Sequence, residues 1–310
     1  MPAEIVDKWL AGGWKAAIEG HRLKPRAHSR LPGMALSASR GQAEAFYLSD
    51  TSGSKWILKK FHKGRELDFS YLSKIGTLVP KIKGTEAATT RRVLRPTSLT
   101  DLAGASASNK RDLAAWLDST VLMQQIPGCA WCELADDLRF GRQSLQRGQR
   151  LRFAASLCNI VRALVLARCS HRDLSSGNVF VDLADESVYL IDWDTLFHPS
   201  LPMPSNTMAG TPGYIAPFIP RQGQVWDGRA SWCGSADEFA LAVLIVEFLA
   251  AGPGLPSTGD GGLFEQSELE RRAGAGIDKI LSTIDGEFPT AKKLFLRALQ
   301  ADKFEQMSIS

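Results

Sequence analysis

Residues 236–251 carry the strongest folding constraint in the chain. Phe239, Ala240, Leu241, Ala242, Val243, Leu244, Ile245 and Val246 run without a polar break, Glu247 interrupts them, and Phe248, Leu249, Ala250 and Ala251 resume. A helix with that pattern is apolar almost all round, so it belongs inside a folded body. The unbroken run is too short to span a bilayer, which takes about 20 residues. With 310 residues, 44% apolar and 23% charged, the chain has ordinary globular composition and the length for one large domain or two smaller ones.

Lys and Arg number 37 against 33 Asp and Glu, a net charge of +4. A balance this mild gives no ground for a nucleic-acid or membrane partner. Five cysteines, Cys129, Cys132, Cys158, Cys169 and Cys233, are an odd, sparse set that argues against a disulfide framework and for a reducing compartment, by default the cytoplasm. Residues 1–7 carry acids where a secretory signal needs positive charge, and no long apolar stretch follows.

Organisation along the chain predicts an α+β fold in two parts. Leu10, Trp14 and Ile18, spaced by four, predict a short helix within residues 1–30, read as an N-terminal extension. Residues 45–48 and 55–61 predict a β-hairpin across the turn-forming 49–54. Residues 65–76 predict a helix with Phe69, Leu72 and Ile75 on one face and Gly76 as its C-cap. A strand at 119–126 ends at Pro127-Gly128, where the boundary between a β-rich part (31–126) and a helical part (127–310) is placed. In the second part, Leu157, Ile160, Val161, Leu164 and Val165 form one helical stripe within 151–166, and 263–299 is again helical.

Between those helices stands His171-Arg172-Asp173-Leu174-Ser175-Ser176-Gly177-Asn178, followed by the apolar strand 188–191 and Asp192-Trp193-Asp194. The first set resembles the catalytic loop of the eukaryotic-like (Hanks-type) Ser/Thr protein kinase superfamily in its bacterial-type members. Asp192-Trp193-Asp194 stands where that family has Asp-Phe-Gly. Gly210-Thr211-Pro212-Gly213-Tyr214-Ile215-Ala216-Pro217 resembles the end of its activation segment. The chemistry behind the spacing is general: phosphoryl transfer needs a carboxylate to orient the attacking hydroxyl and hard oxygen ligands for Mg²⁺.

The resemblance implies a bilobal kinase-like fold, with a small β-rich lobe, a larger helical lobe, and ATP with Mg²⁺ in the cleft between them. It implies that Asp173 accepts the hydroxyl proton, that Asn178 and Asp192 hold the metal, that Thr211 contacts Asp173, and that Asp237 hydrogen-bonds the catalytic-loop backbone. Lys59 would pair with the phosphates, preferred over Lys60 because strand alternation puts it on the face of Ile57 and Phe61. Its carboxylate partner is left open between Glu66 and Asp68. Met123 would be the gatekeeper, and the backbone from Gln124 to Ile126 would bind adenine, beside Ala45 and Gly41. Arg172 would order an activation-segment phosphate carried by Thr195, Ser200, Ser205 or Thr207.

Several positions depart from the family pattern. Only Gly41 survives of the glycine-rich loop, with Arg40 as a compensating charge; Ser175 replaces a lysine, Asp194 a glycine and Phe218 a glutamate. His171 is read as a packed structural element. Cys129-Ala130-Trp131-Cys132 is read as packing beside the hinge, for lack of a second close pair. The implied activity is ATP-dependent phosphorylation of protein Ser/Thr, autophosphorylation included. The alternatives are a pseudokinase serving as a nucleotide-binding or scaffold module, and a small-molecule phosphotransferase. Protein substrates are the implied partners, with a cognate phosphatase or a von Willebrand-type adhesion domain suggested by loose resemblance to bacterial kinases.

Overall fold

A computed structural model of the chain describes residues 3–26, 43–61, 68–118, 120–203, 210–222, 225–255 and 262–303. The fold is α+β, and its contacts divide it into two compact units, one of residues 1–76 and 87–125, the other of 77–86 and 126–310. The main division falls one residue before the boundary read from Pro127-Gly128.

The first unit runs α1 (Ala3–Gly12), β1 (Lys15–Ile18), β2 (His21–Pro25), β3 (Ala43–Asp50), β4 (Lys55–Phe61) and α2 (Phe69–Leu78). After α3 (Glu86–Thr89) come β5 (Arg92–Val93), β6 (Leu99–Ala103), α4 (Ala107–Leu117) and β7 (Thr120–Gln124). Its seven strands pair antiparallel in the order β5-β7-β4-β3-β2-β1-β6. The edge strands β5 and β6 are joined by residues 94–98 alone. Six Cα steps of about 3.8 Å reach about 23 Å, whereas seven flat strands would separate their edges by about 29 Å. The sheet must therefore curl. Inside the curl α1 and α4 place Ile5, Val6, Trp9, Leu113 and Leu117 against Phe46, Leu58 and Leu122 in one buried cluster.

Two sequence expectations change here. The helix read through Leu10, Trp14 and Ile18 stops at Gly12, because Gly13 takes φ +63° and turns the chain. Ile18 is then a buried residue of β1, and Trp14 instead accepts a 2.9 Å bond from the Trp9 indole at its carbonyl. Residues 15–25 are thus interior strands of the sheet and no appended extension. Likewise α2 continues past Gly76 to Leu78. Gly76 is there for close approach: a Cβ on it would meet the Ala88 carbonyl oxygen at 2.9 Å.

The second unit holds β8 (Cys129–Ala130), α5 (Trp131–Arg139), α6 (Arg147–Leu166), β9 (Val179–Asp182) and β10 (Ser187–Leu190). The short pair β11 (Arg221–Gln222) and β12 (Val225–Trp226) precedes α7 (Glu238–Ala250), α8 (Gln266–Arg271), α9 (Ala275–Asp285) and α10 (Pro289–Gln300). Every residue of α7 after Glu238 is buried, as its apolar pattern demands. On α6 the stripe Leu157, Ile160, Val161 and Leu164 is buried, while Val165 faces outward. At 100° per residue, Val165 lies at the margin of that face.

Gly128, in the turn that leads to β8, adopts φ +83°, and a Cβ on it would stand 2.0 Å from the Val181 carbonyl oxygen. Gly128→Ala is expected to lose at least about 2 kcal/mol, from left-handed strain and overpacking together. Chemical denaturation measures this, and a loss below half of it would mean that β9 shifts freely.

Candidate active site

In the first unit, antiparallel register sets Ala45 opposite Lys59 and Ile57 opposite Met123. Side chains two apart share a face, so Ala45, Lys59 and Met123 lie on one side of the sheet. Lys59 also lies over the Phe61 ring at 5.2 Å. Lys60 is on the core side with Leu58 and Leu122. It reaches along that face to donate to the Trp116 and Asp118 carbonyl oxygens at 2.7 and 2.6 Å, satisfying the C-terminal end of α4. Of the two lysines, Lys60 is thus committed to structure. Asp68 Oδ1 accepts from the Tyr71 backbone N–H at 3.0 Å, capping α2. Gly41 and Glu66 lie outside the described residues. Gln124 gives its backbone N–H to Thr90 Oγ1 at 3.0 Å, and Gln125 gives its own to the Lys55 carbonyl oxygen at 2.9 Å. Ile126 is buried in the second unit.

In the second unit the loop 170–178 connects α6 to β9. Asp237, 3% exposed at the head of α7, accepts the backbone N–H groups of His171 and Arg172 at 2.6 and 2.7 Å. Burial pushes its carboxyl above the usual range against the opposing pull of His171 and those two donors. His171 is fully buried. Its Nε2 bonds the Ile191 carbonyl oxygen at 2.7 Å, and its ring meets Trp193 edge to face at 4.7 Å.

This clamp presents Asp173, which is half-buried. Thr211 Oγ1 donates to its Oδ1 at 2.8 Å, and Asn178 Nδ2 donates to its Oδ2 and to its carbonyl oxygen, both at 2.9 Å. Two acceptors fix which end of the Asn178 amide faces Asp173, so its oxygen is left for another partner. The Ile191 N–H donates to the Asn178 carbonyl oxygen at 3.0 Å, extending the β9–β10 ladder past Val179 and Leu190. Asn178 and Asp192 consequently sit at the same end of that hairpin. Asp192 is exposed and left-handed, with φ +59° and ψ +57°, a conformation that disfavours a residue with a Cβ. The structure thus gathers Asp173, Asn178 and Thr211 by direct bonds and brings Asp192 alongside through the hairpin.

Other sequence expectations meet different surroundings. Arg172 is 5% exposed, and its guanidinium donates to the carbonyl oxygens of Thr195, Gly228 and Ser231 and to Ser231 Oγ. That is a structural cage, not the open phosphate-binding fork expected from its place beside Asp173. Thr195 Oγ1 donates to the His171 carbonyl oxygen at 2.9 Å. Ser205 and Thr207 lie outside the described residues. The five cysteines are free thiols, all pushed up by burial, Cys169 to about 11. Protonated thiols of this kind are poor nucleophiles and poor ligands. Among the described residues no group of three or more His, Cys, Asp or Glu is placed to hold a metal ion, and no helix is long and apolar enough to cross a membrane.

Sequence reasoning treated Glu247 only as the break in an apolar run; it is the hub of a buried network. Its carboxyl, 2% exposed, accepts from Tyr214 OH at 2.9 Å, Trp131 Nε1 at 3.2 Å and the Leu263 N–H at 3.1 Å. An acid interrupting the apolar run 239–251 was the signal. Burial, opposed by those donors, pushes it up to about 7. Between about pH 4.5 and pH 7 the folded chain keeps a proton that the unfolded chain has released, so stability falls as pH rises through that window, by about 3 kcal/mol. Glu247→Gln is expected to flatten the slope; equal slopes for both proteins in urea melts at about pH 5 and about pH 7.5 would refute the assignment.

No model of a known protein family matches the chain, and no curated protein matches it.

Proposed function

We propose that the chain is an ATP-dependent protein kinase of the eukaryotic-like Ser/Thr type, with the β-rich unit as its small lobe and the helical unit as its large lobe. The observation that carries the reading is the Asp173 carboxylate, held by Asn178 and Thr211 on a loop whose backbone is clamped by Asp237. Orienting a hydroxyl and accepting its proton needs a positioned, half-buried carboxylate of this kind. Mg²⁺ keeps several waters and takes one or two protein oxygens besides phosphate. Asn178 and Asp192, with an amide oxygen and an exposed carboxylate at one hairpin end, fit that modest demand. When bound, the ion would neutralise charge on the phosphates. Lys59 is assigned to the phosphates on the sheet face it shares with Ala45 and Met123. The Thr211–Asp173 bond supports an acceptor segment laid along residues 210–217, and so a protein substrate.

Incubating the purified chain with ATP and Mg²⁺ and mapping the modified residues by mass spectrometry tests the proposal. Phosphoserine or phosphothreonine, lost on chelation of the metal, is the expected result. A thermal shift with MgATP but no transfer would make it a nucleotide-binding module. Transfer only to a free alcohol would make it a small-molecule phosphotransferase. Either result overturns the protein-kinase reading.

A further inference from the structure

The residues after Asp192 are fastened to the catalytic loop by hydrogen bonds within the chain. Ser170 and Phe197 exchange both backbone hydrogen bonds, at 3.1 and 2.8 Å. Thr195 Oγ1 donates to the His171 carbonyl oxygen, and Trp193 Nε1 to the Leu190 carbonyl oxygen at 3.0 Å. Arg172 completes the set. Its backbone is left-handed, at φ +66°. Nη2 reaches Gly228 O at 2.8 Å and Ser231 Oγ at 3.1 Å, Nε reaches Ser231 O at 3.2 Å, and Nη1 reaches Thr195 O at 3.3 Å. The planar cation also covers the Trp232 ring at 4.6 Å, and Trp232 in turn meets Phe197 edge to face at 5.1 Å.

We propose that Arg172 is a positioning residue that fixes the start of the activation segment by gripping backbone carbonyls, so that this segment is ordered without phosphorylation. Recruiting the guanidinium to a phosphate would strip hydrogen bonds from buried carbonyl oxygens, each a costly loss. At 5% exposure the residue as a whole is buried. Thr195, whose hydroxyl is engaged by His171, then acts as a clasp and not as a phosphorylation site. The consequence for activity rests on the kinase reading above; the clamp itself does not.

Amide hydrogen exchange separates the two. The comparison is between phosphatase-treated wild type and Arg172→Lys, a change that keeps the charge and could still bind a phosphate but lacks the planar fork. Amides of 193–197 are expected to exchange at least about tenfold more slowly in the phosphatase-treated wild type than in the lysine variant. Equal rates, or protection that returns only on phosphorylation, would overturn the clamp. Should the variant not fold, the wild type decides alone: protection of 193–197 comparable to that of β10 supports it, and exchange at the unprotected rate refutes it. Transfer by the phosphatase-treated Ser200→Ala, Ser205→Ala, Thr207→Ala triple variant is expected within about twofold of wild type. A wild type with no transfer at all would remove the kinase reading while leaving the exchange result to judge the clamp.

Discussion

Asp173→Asn is expected to slow phosphoryl transfer from ATP by about 10²–10⁴-fold, the usual worth of a positioned general base. The fold should hardly notice. The asparagine oxygen can take the Asn178 donor that now sits 2.9 Å from Oδ2, and the new amide can donate to Thr211 Oγ1, which as a hydroxyl accepts as readily as it donates. Both local bonds survive while the proton acceptor is lost, so a melting temperature within about 3 °C of wild type should accompany the fall in rate. Transfer at the wild-type rate would show that Asp173 takes no proton, and the role assigned to it would have to be abandoned.

Asp237→Ala is expected to cause the largest loss of stability of any single change at the site, about 2–6 kcal/mol. Removing the carboxylate strands two backbone N–H groups, those of His171 and Arg172, in a place where no solvent reaches them. Each buried donor left unpaired costs about 1–3 kcal/mol, against a total stability of about 5–15 kcal/mol for a typical protein. Asp237→Asn is the informative companion. It keeps an oxygen for one donor but turns an N–H₂ towards the other, so it should fall between wild type and alanine in urea denaturation. If alanine cost under about 1 kcal/mol, the loop would be holding its shape by other means.

The parts of this molecule that could be read from its residues are those whose cause is local. The burial of α7 follows from side chains lacking any polar face, and the β3–β4 hairpin from alternation around a turn whose Asp50 carboxylate binds the Ser52 and Ser54 N–H groups. The strands β1 and β2 pair with each other across the Glu19-Gly20 turn, Ala16 opposite Leu23, but the partners that make them interior strands are distant: Ala17 sits opposite Asp101 and Leu23 opposite Asp50. The four-residue rhythm of Leu10, Trp14 and Ile18 imitated a helix across a turn that only the backbone of Gly13 reveals. At the site, the Thr211–Asp173 bond and the hold of Asp237 on the loop backbone were legible through the resemblance of residues 171–178 and 210–217. The work of Arg172 was not, since its acceptors are mostly main-chain oxygens, which every residue carries and no letter of the sequence records. Glu247 stood in plain view, yet its donors come from α5, the 210–217 segment and residue 263, which meet only once the chain is folded.

The left-handed backbone at Asp192 sets two selective pressures against each other. Glycine would rest there at ease, so a chain bred for heat resistance alone would drift toward it at this position. It would gain robustness and forfeit the carboxylate at the end of the hairpin. An acidic side chain thus stands in a turn where glycine would sit with less strain, and it puts a charge at the end of the hairpin.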